Sequence, residues 1–190
     1  MAELPHVIAI GASAGGVTAL RRLLGALRPP FAAAVVVVLH IRESTVDALV
    51  GVLARDCRLP VVEALAGERI EAGRVHLAPG NYHLLIERDG CFALSVDDRV
   101  HHARPSVDVL FASAADACGA RLTGVVLTGS NDDGAQGLAA IRARGGTALV
   151  QAPHEAEAPQ MPAAALRIAG ADATLPLDDI ALRLNQAFHA

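Results

Sequence analysis

Apolar and polar positions fall into alternating blocks of two periods. Val7-Ile8-Ala9-Ile10 is a short apolar run of β-like composition, and Val17 to Leu24 carries its apolar residues at helical spacing. Arg28-Pro29-Pro30 stops that helix, because proline removes a donor and restricts the residue before it. Ala34 to Leu39 is a second strand, ending at His40, and a helix is expected to start at Glu43–Asp47 with Ser44 or Thr45 as its cap. The middle of the chain is shorter-grained: strands at 61–64 and 74–78, then two β-like runs, 82–87 and 91–95, joined at Arg88-Asp89-Gly90. That pair reads as an antiparallel hairpin. A polar loop at 97–105 leads to a helix capped by Ser106, with Asp108 at the positive end of its dipole. Leu122 to Leu127 is a strand, 128–134 a Gly/Asn/Asp turn, and Ala135 to Arg144 a helix ended by Gly145-Gly146. Thr147 to Val150 is the last clear strand; a Pro-rich loop and two helices, 163–168 and 177–188, complete the chain. Strands alternating with helices predict one α/β domain over 1–190: a doubly wound, mainly parallel sheet with helices on both faces and an antiparallel hairpin.

Composition narrows the class. Hydrophobic residues make up 53% of the 190 positions but aromatics only 3%, which fits Ala-rich helices on Val-rich strands buried on both faces. No apolar run approaches the roughly 18 residues that span a bilayer, and the start lacks a secretory pattern, so no membrane insertion is expected. The net charge of -4 argues against a nucleic-acid partner. Three scattered cysteines without a C-x-x-C pair indicate neither a disulfide framework nor a structural metal site, and point to the cytoplasm. No cofactor is expected.

The candidate chemistry starts at Gly11-Ala12-Ser13-Ala14-Gly15-Gly16, a tight turn from strand to helix. Such a turn lifts a serine above the carboxyl edge of a sheet and aims backbone N–H groups at its surroundings. The same residues fit a dinucleotide-binding turn, with Ser13 in place of the middle glycine. That reading needs an acidic residue at the end of the second strand, where this chain has His40. In open α/β sheets the site lies beyond the carboxyl ends of the strands, and three such ends carry Ser13, His40 and the pair Asp132-Asp133. Serine needs a base, and the base needs an orienting carboxylate. Taken singly, Asp133 also suits a helix cap before Gly134. The order Ser13…His40…Asp133, with the elbow after the first strand, excludes the α/β-hydrolase fold. A non-catalytic module that docks a receptor tail or a ligand in the same crevice is the alternative.

These residues resemble the CheB-type protein-glutamate methylesterases of bacterial chemosensory systems. The resemblance runs through 10–16, Val38-Leu39-His40, 78–84, 104–111, Leu127-Thr128-Gly129, Asp133-Gly134-Ala135, Gln151-x-Pro153, Ala156 and Met161-Pro162. It implies Ser13 as nucleophile, His40 as base and acid, Asp133 as the orienting carboxylate, and hydrolysis of γ-glutamyl methyl esters on chemoreceptor helices with release of methanol. Many members also deamidate receptor glutamines. Backbone N–H groups near Ala14 and Ser130 are expected at the oxyanion, and Arg104 and Met161 at the substrate rim. His101 and His102 suit either that rim or a solvated loop. The family's loop usually reads T-G-M-G-x-D-G-A, whereas this chain has Ser130 and Asn131 in the third and fourth places, with asparagine expected to supply the left-handed dihedral of the missing glycine. Gln160 also replaces a glycine. Typical members carry an N-terminal receiver domain for which this chain has no room, so either a cut-out catalytic domain or a stand-alone enzyme is expected, the second with its control coming from a separate receiver or regulatory protein or absent.

Overall fold

The Val-rich runs are strands buried on both faces. In a computed structural model, which describes residues 4–40 and 46–189, seven strands form one sheet. They are β1 (His6–Ala12), β2 (Ala33–Leu39), β3 (Val61–Glu63), β4 (Val75–Leu77), β7 (Leu122–Val126), β8 (Thr147–Gln151) and β9 (Ala173–Leu175), in the order β3-β4-β2-β1-β7-β8-β9. Every pairing in this sheet is parallel. β5 (His83–Ile86) and β6 (Phe92–Ser95) form the separate antiparallel hairpin expected around Asp89-Gly90.

Alternate residues of β1 and β2 face opposite layers. Ile8, Ile10, Val35 and Val37 pack with α1 (Gly16–Gly25), α2 (Val46–Ala54) and α6 (Leu177–Phe188). Val7, Ala9, Val36 and Val38 pack with α3 (Val107–Cys118), α4 (Ala135–Ala143), α5 (Gln160–Ile168) and the hairpin. Burying each of these Val and Ile side chains contributes about 1.5–3 kcal/mol, so the central strands anchor the fold. From β1 the chain goes to β2, then to the edge strand β3 and back to β4 between them, before β7, β8 and β9 extend the sheet on the other side of β1. The switch point is therefore the crevice between the carboxyl ends of β1 and β7.

Three details differ from expectation. β9 was not foreseen: it is three residues long, at the sheet edge and only partly buried, so its sequence carries little periodic signal. α5 begins at Gln160 rather than Ala163; Pro162 lies in its first turn, where its missing N–H has no helical acceptor to lose. The first helix, expected to run from about Gly16 to Leu27, ends at Gly25. The proposed Ser44 or Thr45 cap lies outside the described residues, and α2 is described from Val46 with Asp47 in its first turn. None of the helices described is long and apolar enough to cross a membrane.

Candidate active site

β1 ends at Ala12, and the turn that follows is held by backbone bonds. Ser13 N–H donates to the Thr128 carbonyl (2.9 Å), and Gly16 N–H returns to the Ser13 carbonyl (2.8 Å). Gly15 has φ 74°, a left-handed conformation open to glycine at little cost, and it begins α1. Ser13 thus stands half-buried at the switch point with Ala14 exposed beside it.

His40 leaves β2 one strand away, with its N–H 3.2 Å from the Ala12 carbonyl. Its Nδ1 lies 3.2 Å from Ser13 Oγ and its Nε2 2.8 Å from Asp133 Oδ2. A carboxylate only accepts, so Nε2 carries the proton and Nδ1 keeps its lone pair toward the serine. That tautomer suits a general base. The ring is turned end for end relative to the serine-protease template, but the logic is the same. The side chain of His40 is 13% exposed and that of Asp133 is fully buried.

Asp133 does not cap the helix that follows it; Gly134 holds the N-cap position of α4 in a left-handed conformation. The carboxylate instead reaches the start of α3. Oδ2 also accepts from Val107 N–H (2.7 Å), and Oδ1 accepts from Ser106 Oγ (2.8 Å) and Asp108 N–H (2.9 Å). Burial works to raise its pKa. The hydrogen bonds from His40, Asp108, Val107 and Ser106 outweigh it and hold the carboxyl below its ordinary range. Asp133 is therefore an anion seated on a helix N-terminus and aimed at an imidazole.

Ser106 caps α3 as expected, but its donation to Asp133 was not foreseen from sequence. It is itself braced: Ser106 N–H donates to His83 Nδ1 (3.2 Å), so Nε2 of that buried ring donates to the Asp98 carbonyl (3.0 Å). The only advance signal was the Arg104–Phe111 motif, which named the stretch without its partner.

The β7–α4 loop is tied from beneath. Thr128 N–H donates to Gln151 Oε1 (2.8 Å), and Thr128 Oγ1 donates to the Ala14 carbonyl (2.8 Å). Gly129 exchanges backbone bonds with Ala158 and Met161, both 2.9 Å. A methyl group on Gly129 would collide with the Met161 thioether and come within 3.0 Å of Ser13 Cβ. Met161 is accordingly buried at 1% exposure behind Gly129, and does not stand on the rim where sequence put it. Ser130 is exposed, and neither its N–H nor that of Ala14 donates within the protein among the described residues. Asn131 is not left-handed; its side chain accepts the Asp133 N–H (3.2 Å), closing the turn in another way.

A cleft of about 290 Å³ opens beside His40, lined by residues of the 97–105 loop and by Asn131. Arg104 lines it, but its guanidinium is committed to the Val96 and Asp97 carbonyls (2.6 and 2.9 Å) and so braces the loop. His101 and His102 line the same cleft.

The family model described as CheB methylesterase matches residues 8–184. A Leptospira interrogans protein, provisionally named protein-glutamate methylesterase/protein-glutamine glutaminase, is 43% identical over 184 residues, 95% of each chain. A Rhodospirillum rubrum protein named protein-glutamate methylesterase/protein-glutamine glutaminase 2 is 41% identical over 95% of this chain and 50% of its own length. This chain thus spans nearly all of the first relative and about half of the second. The crystal structure of the Thermotoga maritima CheB methylesterase catalytic domain matches with TM-score 0.93 and 30% identity, covering 98% of this chain and 100% of that one. The chain belongs to the CheB methylesterase family.

Proposed function

We propose that this protein is a serine hydrolase that removes methyl groups from glutamate γ-methyl esters on chemoreceptor helices, and that it deamidates receptor glutamines at the same site. The observation that carries this reading is the unbroken relay from Ser13 Oγ through His40 to Asp133, at 3.2 and 2.8 Å. In this mechanism His40 Nδ1 takes the hydroxyl proton as Ser13 Oγ attacks the ester carbonyl carbon. The Ala14 and Ser130 N–H groups stabilise the oxyanion. The imidazolium, held by the Asp133 anion, gives its proton to the departing methoxide, and methanol leaves. Water then attacks the acyl-enzyme with His40 as base, giving back the serine and releasing the glutamate carboxylate. For an amide the leaving group is ammonia. The cytoplasm is the proposed compartment, and a separate receiver protein the proposed regulator.

The test is methanol release from a methyl-labelled receptor fragment, with fluorophosphonate labelling in parallel. The wild type should release methanol and be labelled at Ser13, and Ser13→Ala should do neither, with a loss on the order of 10⁴-fold or more. Release by Ser13→Ala near the wild-type rate would overturn the proposal. Receptor binding by the wild type without methanol release would make the chain a docking module instead.

A further inference from the structure

The hairpin that carries His101 goes against its own backbone preference. Val100 and Ala103 exchange both N–H···O bonds, at 3.1 and 2.8 Å, and His101 and His102 both have positive φ, 50° and 62°. That is the type I′ turn, whose usual residues are Asn-Gly because larger side chains resist the left-handed region. Two imidazoles in succession need an outside hold. His101 has one: its Nε2 lies 3.2 Å from Asp108 Oδ2 on α3, and its Nδ1 lies 2.9 Å from Asp132 Oδ1 on the β7–α4 loop. Both partners only accept, so the two contacts are satisfied together only when both ring nitrogens carry protons. Asp133 completes the acidic group facing the ring, and Arg99, His102 and Arg104 are the basic groups on its own hairpin that share the cleft wall. Asp108 is fixed in turn by Gly137 N–H (2.6 Å).

We propose that His101 is a positioning residue for substrate selection: it locks the 97–105 hairpin, braced from within by Arg104, to Asp108 and Asp132, so that Arg99 and His102 stand on the cleft wall beside His40 and receive the carboxylates that flank the scissile ester. This deepens the reading above and rests on it. No acidic residue lines the cleft among the described residues, although the protein as a whole carries a net charge of -4. Asp97 and Asp98, on the same loop, stay out of the lining. Asp133 holds its four hydrogen bonds without His101. Loss of His101 therefore loosens the wall and leaves the relay assembled.

The test uses His101→Asn, which keeps a residue the turn favours and removes the second donor. Two synthetic helical peptides serve as probes, each with one glutamate γ-methyl ester, flanked by glutamates or by glutamines. In the Ser13→Ala background binding is read without turnover. Protein with His101 should bind the Glu-flanked peptide about tenfold more tightly at low salt, and His101→Asn should reduce that ratio to about two or less. In active protein the substitution should raise KM for the Glu-flanked ester about tenfold and lower kcat less than about threefold. Asp132→Asn removes the same anchor from the other side, should cause the same loss, and should not add to His101→Asn. A full ratio retained by both variants, a loss falling on kcat, or no preference in the parent protein overturns the inference. Absence of methanol release by the wild type together with absence of peptide binding is a different result: it removes the proposed function, and this inference with it.

Discussion

Asp133→Asn exchanges an acceptor of four bonds for a group that is half donor. If the amide oxygen takes the place of Oδ2, it keeps the bonds from His40 Nε2 (2.8 Å) and Val107 N–H (2.7 Å). The NH₂ then faces Ser106 Oγ, which can turn to accept, and Asp108 N–H, which cannot. In the opposite orientation the NH₂ faces Val107 N–H and donates to His40 Nε2. The imidazole proton is then forced onto Nδ1, toward Ser13, where it blocks proton uptake. Either way one buried N–H is left facing a donor, a stability cost of about 1–3 kcal/mol. Either way the imidazolium formed during reaction loses its counter-charge. In the serine-protease template the same exchange lowers kcat about 10⁴-fold, or about 5.5 kcal/mol of barrier. We expect a loss of about 10³–10⁴-fold in kcat here, since one orientation preserves the working tautomer. The assay is methanol release at saturating ester, with fluorophosphonate labelling rates at Ser13 and a thermal melt to confirm folding. A kcat within tenfold of wild type in a folded variant would refute the orienting role of Asp133.

Three further outcomes follow from the same contacts. Ser106→Ala removes a buried donor to a charged acceptor along with the α3 cap, and should lower stability by about 2–3 kcal/mol, or roughly 5–10 °C in Tm. Its kcat should fall only about tenfold, because His40 and two backbone N–H groups still hold Asp133. Gly129→Ala should reduce kcat about 10–100-fold at a stability cost of about 1–3 kcal/mol, since Met161 can swing aside but Ser13 cannot; a crystal structure with Ser13 unmoved alongside a lost kcat would count against that cause. The depressed pKa of Asp133 means its charge stabilises the fold above its unfolded pKa, about 3.9, and that contribution disappears as pH falls from there through the folded value. Urea midpoints should therefore drop between pH 5 and the acid limit more steeply in the wild type than in Asp133→Asn, and parallel curves would contradict the linkage.

Much of this was legible along the chain because it is local or periodic. Continuous Val and Ile runs mark strands buried on both faces, and an Asp-Gly step between two such runs marks a hairpin. The small residues around Ser13 announce an exposed strand-to-helix elbow. What misled were features with a local reading and a distant use. Asp133 looks like a cap for α4 because it precedes Gly134, yet it serves the start of α3 from 25 residues away. Met161 sits in a motif but packs behind Gly129. Asn131 was expected to bend its own backbone and bonds Asp133 N–H instead.

By itself the sequence determined the layered parallel architecture and put a hydroxyl, an imidazole and a carboxylate at three strand ends, since hydrophobic period and turn chemistry act over a few residues. Only the tertiary structure decided that these groups meet, that His40 presents Nδ1 to Ser13, and that the 97–105 hairpin closes one side of the site. Those outcomes depend on strand order, helix placement and the donors that surround each buried charge, which residues far apart in the chain set jointly.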